Sequence, residues 1–140
     1  MAEQAQLHLE VSTPLGRALE VQSDSVQIPG VAGEFGVLAG HLPILAATKP
    51  GILKYRENGQ MKFAAVGAGF AEADASTVRL ISEFFTFPKD LDLQDAKKDL
   101  AAAEARMKEF KGKLGDPAHS EIQRNIDWAL ARIELASGKN

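Results

Sequence analysis

The chain has 140 residues, 16 Lys and Arg against 19 Asp and Glu, and no cysteine. That length fits one domain, or one domain with an appendage, and suffices to bury a core without staples; the missing cysteines exclude disulfides and thiolate metal sites, and a net charge of −3 offers no electrostatic case for nucleic acid. No apolar run approaches the roughly 20 residues that span a bilayer, and the opening MAEQAQLHLEVSTP has neither the basic start of a signal peptide nor the acid-poor character of a transit peptide. The expectation is a protein kept in a bacterial-type cytoplasm, or in an organelle that synthesises it, with no direct membrane insertion.

Residues 1–88 read as strands separated by turns. QLHLEVST alternates Leu7, Leu9 and Val11 against His8, Glu10 and Ser12, and ALEVQSDSVQI repeats the pattern around a Ser-Asp-Ser interruption. The next stretch, PGVAGEFGVLAGHLPIL, holds four glycines between Gly30 and Gly40 and a lone His41 before an apolar run. Such a loop either cradles a small ligand or meets another protein. ILKYRENGQMKFAAV carries Asn58-Gly59, a strong hairpin signal. Gly67 and Gly69 in VGAGF mark a bend or bulge where backbones approach, and STVRLIS supplies a final strand. Many short strands at close spacing predict a sandwich or barrel.

The composition changes at Pro88. Residues 1–88 hold 6 bases and 9 acids, whereas 89–140 hold 10 of each, and nine of the twelve glycines precede the change. Beyond it, Leu93, Ala96, Leu100, Ala103, Met107, Phe110 and Leu114 follow a 3,4 spacing, and Ile122, Ile126, Ala129, Ile133 and Ala136 follow the complementary 4,3 spacing. Each set makes one helical seam. Gly115 is expected to end the first helix, Asp116 to cap the second and Pro117 to open it. So short a break makes the helices antiparallel. Alanines on both seams bring the helices close but bury little area.

Catalytic signatures are missing. No phosphate-binding G-x-x-x-x-G-K-[ST] and no G-x-S-x-G elbow occurs, and His8, His41 and His119 lack metal-ligand spacing. His41 is open to service as a general base, but an interface or loop-capping role is the commoner use of such a residue. A phosphate-binding use of the glycine loop is weakened by Pro43, which bars a helix from following at once. Asp92 and Asp95 read as first-turn capping acids rather than a catalytic pair, and the mixed charges around Lys97, Lys98, Lys108, Lys111 and Lys113 read as a solvated face.

The segments IPGVAGEFGVLAGHLPIL, KPGILKY and VGAGFAEADASTVRLISE together resemble the epsilon subunit of bacterial and chloroplast F-type ATP synthases, the equivalent of the mitochondrial delta subunit. Order, spacing and total length agree with that family, and the departure is Ala68, where a glycine is common. The resemblance implies an α+β fold: a ten-stranded β-sandwich over 1–88 that binds the rotor, then an antiparallel two-helix hairpin over 89–140 that regulates. It implies no active site, no metal and no cofactor in this chain. It implies a central-stalk subunit, peripheral at the cytoplasmic face of the bacterial inner membrane, that links the gamma shaft to the c-ring and restrains ATP hydrolysis through the hairpin. Glu34, Phe35, Gly36 and Val37 would then face the c-ring, and His41 and Leu42 the gamma subunit. Arg124, Arg132 and Lys139 would serve the hairpin in transient contact with the catalytic alpha and beta subunits. ATP-sensing members carry Ile/Leu-Asp-x-x-Arg-Ala, and here Leu91–Ala96 places Asp95 where the arginine stands. An acid there repels a triphosphate, so ATP is at most a weak regulatory ligand, with Asp92, Arg106, Arg124 and Arg132 as candidate contacts. The alternative from another class is a small-ligand-binding β-sandwich with the glycine loop as its cradle.

Overall fold

The computed structural model describes residues 5–138. Ten strands come first: β1 Leu7–Thr13, β2 Gly16–Ser23, β3 Val26–Gly30, β4 Gly33–Val37, β5 Ile44–Thr48, β6 Gly51–Glu57, β7 Gln60–Val66, β8 Gly69–Ala73, β9 Thr77–Ser82 and β10 Phe85–Thr86. A 3-10 turn, Pro88–Asp90, leads to helices α1, Leu93–Glu109, and α2, Pro117–Ser137. The ten-stranded sandwich followed by a helical hairpin is therefore present as the sequence indicates.

The strands follow one path, β10-β7-β6-β3-β5-β8-β9-β1-β2, with β4 paired to β3 beside it. The path doubles over at β3, whose Val26 and Gln27 pair with β6 while Gly30 pairs with Thr48 of β5. A side chain on Gly30 would strike the Gly33 carbonyl and the Phe35 ring, so glycine is required at this turnover. All ladders are antiparallel except β1 on β9. Leu7, Leu9 and Val11 point inward from β1, as their alternation requires, and meet Val26, Ile28, Leu53, Val78 and Leu80 in the core between the layers. Burial of each such side chain contributes about 1.5–3 kcal/mol.

Local signals explain the turns. Asn58 and Gly59 both have positive φ, 52° and 79°, the two-residue turn whose twist suits the β6–β7 hairpin. Gly67 and Gly69 sit where backbones close in: the Gly67 N–H donates to Ser82 Oγ at 2.9 Å, and a Cβ on Gly69 would collide with the Ile81 carbonyl.

The hairpin follows the sequence less closely. Asp92 and Asp116 are the N-caps of α1 and α2, accepting from the N–H groups of Asp95 and Ala118, and Pro117 opens α2. But α1 stops at Glu109 rather than near Gly115, and Leu114 is 87% exposed instead of on the seam. The physical cause is the packing of Phe110, whose ring closes over Gly112 and meets the His119 ring at 5.5 Å, turning the chain early. Ala96, Ala103 and Ala129 are buried between the helices as expected. Ala136 is exposed, because the end of α2 has turned its other side, Ala131 and Leu135, onto Ile52 and Ala65 of the sandwich. Ile52 and Ala65 are direct cross-strand partners on the outer face of β6–β7. This explains why Ala64, Ala65 and Val66 are buried in succession: one face of β7 meets the core, the other meets α2.

Candidate functional site

The glycine-rich loop is a β-hairpin. β3 and β4 pair Ile28 with Phe35, Pro29 with Glu34 and Val26 with Val37, leaving Val31 and Ala32 at the tip. Gly33, at φ 132°, makes the turn. Glu34 is exposed, with its carboxylate 3.5 Å from Lys54 Nζ. Phe35 is half-buried with its ring over Gly30, and Gly36 is exposed. Val37 is a correction to the proposed contact surface: it is fully buried in the sandwich core, because strand alternation from Phe35 carries it inward opposite Val26. The exposed apolar residues around this hairpin are Val31 and Leu38 instead, and only the register of pairing reveals the exchange.

His41 lies just beyond β4. Its Nδ1 donates to the Leu42 carbonyl at 2.7 Å and its backbone N–H donates to Leu38. The Gly40 N–H reaches the Ala75 carbonyl at 2.7 Å, which ties this loop to the β8–β9 turn. In that turn the Asp74 carboxylate accepts from the N–H groups of Ser76 and Thr77, both at 2.9 Å. These bonds, aided by Arg79, hold the Asp74 carboxyl below its ordinary pKa.

The loop opens onto an apolar face of which sequence reasoning named only Leu42. Leu42 and Leu45 are 78% and 76% exposed, Phe70 and Ile81 58% and 54%. Pairing sets Ala47, Phe70 and Ile81 side by side across β5, β8 and β9, and Ser12 of β1 continues the row. One step along, Glu72 pairs with Arg79, and Arg79 reaches Glu10 at 3.6 Å. An apolar centre with a charged rim is the composition of a protein contact. Alternation marks Phe70 and Ile81 as outward-facing, yet only the strand order makes them neighbours.

The candidate residues of the hairpin do not converge. Arg132 Nη2 donates to Asp99 Oδ2 at 2.8 Å, and its guanidinium lies 5.3 Å from the Trp128 ring centroid. Its buried Nε has no partner among the described residues. Arg106 and Arg132 share a cavity of about 280 Å³ with Asp99, Asn125 and Trp128. Arg124 turns instead to Glu83 of the sandwich, 3.7 Å away, and Asp92 is engaged as a helix cap. Asp99 already engages one of the two guanidinium groups of this cavity. In this arrangement Asp92, Arg106, Arg124 and Arg132 do not converge on one site. Lys139 lies outside the described residues. Among those residues no three His, Asp or Glu side chains gather as metal ligands, and no helix is long and apolar enough to cross a membrane.

Residues 6–87 match the family model described as the ATP synthase Delta/Epsilon chain, beta-sandwich domain. The chain is 38% identical over 129 residues to the ATP synthase epsilon chain of Nitratidesulfovibrio vulgaris, covering 92% of this chain and 94% of that one. It is 31% identical over 134 residues to the ATP synthase epsilon chain of Synechococcus sp. (strain WH7803), covering 96% and 98%. Among solved structures, a chain of the Euglena gracilis mitochondrial ATP synthase OSCP/F1/c-ring assembly superposes with a TM-score of 0.75 at 22% identity, covering 98% of this chain and 84% of that chain. A chain of the Tetrahymena thermophila mitochondrial ATP synthase central stalk and c-ring gives a TM-score of 0.57 at 12% identity, covering 98% of each. At those identities the two structures speak for the shared fold alone.

Proposed function

The chain belongs to the ATP synthase delta/epsilon family, and we propose from that premise that it is a non-catalytic subunit of the central stalk, joining the gamma shaft to the c-ring during proton-driven ATP synthesis. The observation that carries the partner assignment is the apolar row of Ala47, Phe70 and Ile81 beside Leu42 and Leu45, rimmed by Glu72 and Arg79. We assign this face and His41 to gamma. The β3–β4 hairpin, presenting Val31, Glu34 and Gly36 to solvent, is assigned to the c-ring. The sandwich over 1–88 is the rotor-binding unit, and the hairpin over 89–140 is the regulatory one, restraining ATP hydrolysis when it leaves the sandwich for the alpha and beta subunits. ATP acts on this chain weakly or not at all. The protein works at the cytoplasmic face of the membrane as a peripheral part of the F1 sector.

Support for a mobile hairpin is energetic. Its apolar seat on the sandwich is a small cluster, Ala131 and Leu135 against Ile52 and Ala65, with Phe63, Leu91 and Trp128 at the margin, and beyond it stand one aromatic stack and one exposed ion pair. Modest differential binding elsewhere, about 5 kcal/mol, moves such an equilibrium from mostly closed to mostly open.

The test is co-purification with gamma. Phe70→Glu and Ile81→Lys, each placing a charge at the centre of the face, should lower affinity for gamma by about 30-fold or more, the size of a hot-spot loss, without changing the melting temperature. Undiminished association in both variants would remove this face from the gamma interface.

A further inference from the structure

We propose, resting on the assignment of the β5–β8–β9 face to gamma, that the pocket between the start of β5 and the end of β8 receives an arginine side chain of the gamma subunit, held between Glu72 and Asp74. The pocket has a volume of about 460 Å³ and is lined by Pro43, Ile44, Leu45, Glu72, Ala73 and Asp74. Leu45 is the cross-strand partner of Glu72, and Ile44 of Ala73. An apolar wall from β5 therefore stands against two carboxylates at the end of β8. The pocket opens beside the apolar row, since Phe70 and Glu72 are exposed on one face of β8 while Ala71 and Ala73 are buried.

The charge pattern of the face says what the occupant carries. Glu72, Arg79, Glu10 and Glu20 follow one another in a cross-strand row over β8, β9, β1 and β2. Arg17 Nε lies 2.9 Å from Glu10 and its Nη1 3.2 Å from Glu20, and Arg79 Nε lies 3.6 Å from Glu10. The two arginines thus serve Glu10 and Glu20. Glu72 and Asp74 have no cation within ion-pair distance among the described residues, so four acids against two arginines leave two negative charges, and the surplus lies at the pocket. A partner that covered this face without bringing positive charge would bury two unpaired carboxylates, which is costly. Geometry selects arginine. Ser76 N–H, Thr77 N–H and Ser76 Oγ all donate to Asp74 Oδ1, which leaves Oδ2 without a partner among the described residues. Positions two apart along a strand stand about 6.6 Å from each other. A guanidinium carries donors on more than one edge and bridges such a pair, whereas an ammonium acts as a point charge. Leu45, 76% exposed, and Pro43 offer the apolar wall that an arginine stem covers.

The test measures binding of the full-length protein to its gamma subunit at low and high salt. Glu72→Gln with Asp74→Asn removes both charges and keeps both shapes, and the Asn carbonyl still accepts from Ser76 and Thr77. The double variant should melt as the wild type does, bind gamma about tenfold more weakly or worse, the loss expected for charge-assisted contacts, and show an association rate that depends less on salt. Should Asp74→Asn loosen its turn, Glu72→Gln alone carries the same comparison, because Glu72 is exposed and makes no hydrogen bond or ion pair among the described residues. Phenylglyoxal, which modifies arginine, identifies the partner: among the gamma arginines protected in the complex, one should, when changed to glutamate, recover the binding lost by Glu72→Lys. The inference is overturned if neutralising the two acids leaves affinity and salt dependence unchanged, or if no protected arginine recovers Glu72→Lys. Loss of binding in Phe70→Glu with normal binding in the double variant would keep the face for gamma and remove the arginine site alone; normal binding in both would remove the gamma assignment as well.

Discussion

Trp128 of α2 stacks on Phe84 of the sandwich, with ring centroids 5.1 Å apart and planes inclined by 20°. Beside this pair Arg124 reaches Glu83, and the Arg132 guanidinium lies over the Trp128 ring, 5.3 Å from its centroid, tied to Asp99 of α1. The helical hairpin is therefore latched to the sandwich by one aromatic stack between flanking charges, next to the small apolar seat of Ala131 and Leu135. Such a stack contributes about 0.5–1.5 kcal/mol beyond its burial. Phe84→Ala should accordingly raise amide exchange in α2 by roughly three- to tenfold while leaving β1 and β9 unchanged. Trp128 is the sole tryptophan, so its emission should shift to the red in the same variant. Unaltered exchange and emission would show that the stack does not hold the hairpin.

The apolar seat offers a stronger lever. Leu135→Ala removes a buried leucine from the contact with Ile52 and Ala65 and should cost the docked hairpin about 2–5 kcal/mol. Deleting residues 89–140 goes further and leaves Ile52, Ala65 and Phe63 facing water. The remaining sandwich should fold, bind a hydrophobic dye more strongly than the full chain, and lose that excess when Ile52→Thr is added. In the assembled enzyme the deletion should raise ATP hydrolysis and leave coupled synthesis largely intact. Equal hydrolysis rates with and without the hairpin, across ATP concentrations, would make the hairpin structural rather than regulatory.

Gly69 has no room for a side chain, since a Cβ there runs into the Ile81 carbonyl of the paired strand. Gly69→Ala should destabilise the sandwich by about 1–3 kcal/mol, the usual cost of forcing an extra methyl into packed structure. Gly36→Ala is the control, because its nearest neighbours are at van der Waals distance, 3.8 Å or more. Chemical denaturation should separate the two; equal midpoints would mean that β8 and β9 slide apart without penalty.

Asp74 makes the β8–β9 turn sensitive to acid. Its carboxyl ionises more readily in the folded chain than in the unfolded one, because Ser76 and Thr77 donate to the charged form. The contribution is therefore complete above the ordinary carboxylate pKa of about 3.9 and fades as pH falls through the lower folded-state value. Asp74→Ala should lower stability at neutral pH and flatten the acid limb of the stability curve. Because Gly40 is tied to Ala75 in the same turn, the variant should also broaden NMR signals of Gly40 and His41. A stability curve that keeps the wild-type acid slope would exclude Asp74 as its source.

Much of the fold is written locally. Leu7, Leu9 and Val11 alternate and are buried, Asn58-Gly59 turns the β6–β7 hairpin, and Asp116-Pro117 starts α2. These follow from the two-residue period of strands, the positive φ of a tight turn and the unpaired N–H groups of a helix start, all properties of neighbours in the chain. The glycine loop was legible as a surface turn for the same reason, and Glu34 and Gly36 do reach the surface. Tertiary structure alone decided the rest. Val37 went to the core because β4 pairs with β3 in a register that sets it opposite Val26. Phe70 and Ile81 became one apolar patch because β8 and β9 pair, and an outward-facing residue says nothing about what stands beside it. Leu114 kept the helical spacing but left the helix when Phe110 closed over Gly112. Ala131 and Leu135 lie off the seam that periodicity picks out, and they were buried by a sheet some 70 residues earlier in the chain, Ile52 and Ala65. A side chain's direction is set by its own backbone and can be read in order, whereas its neighbours are set by which distant strands and helices pack together.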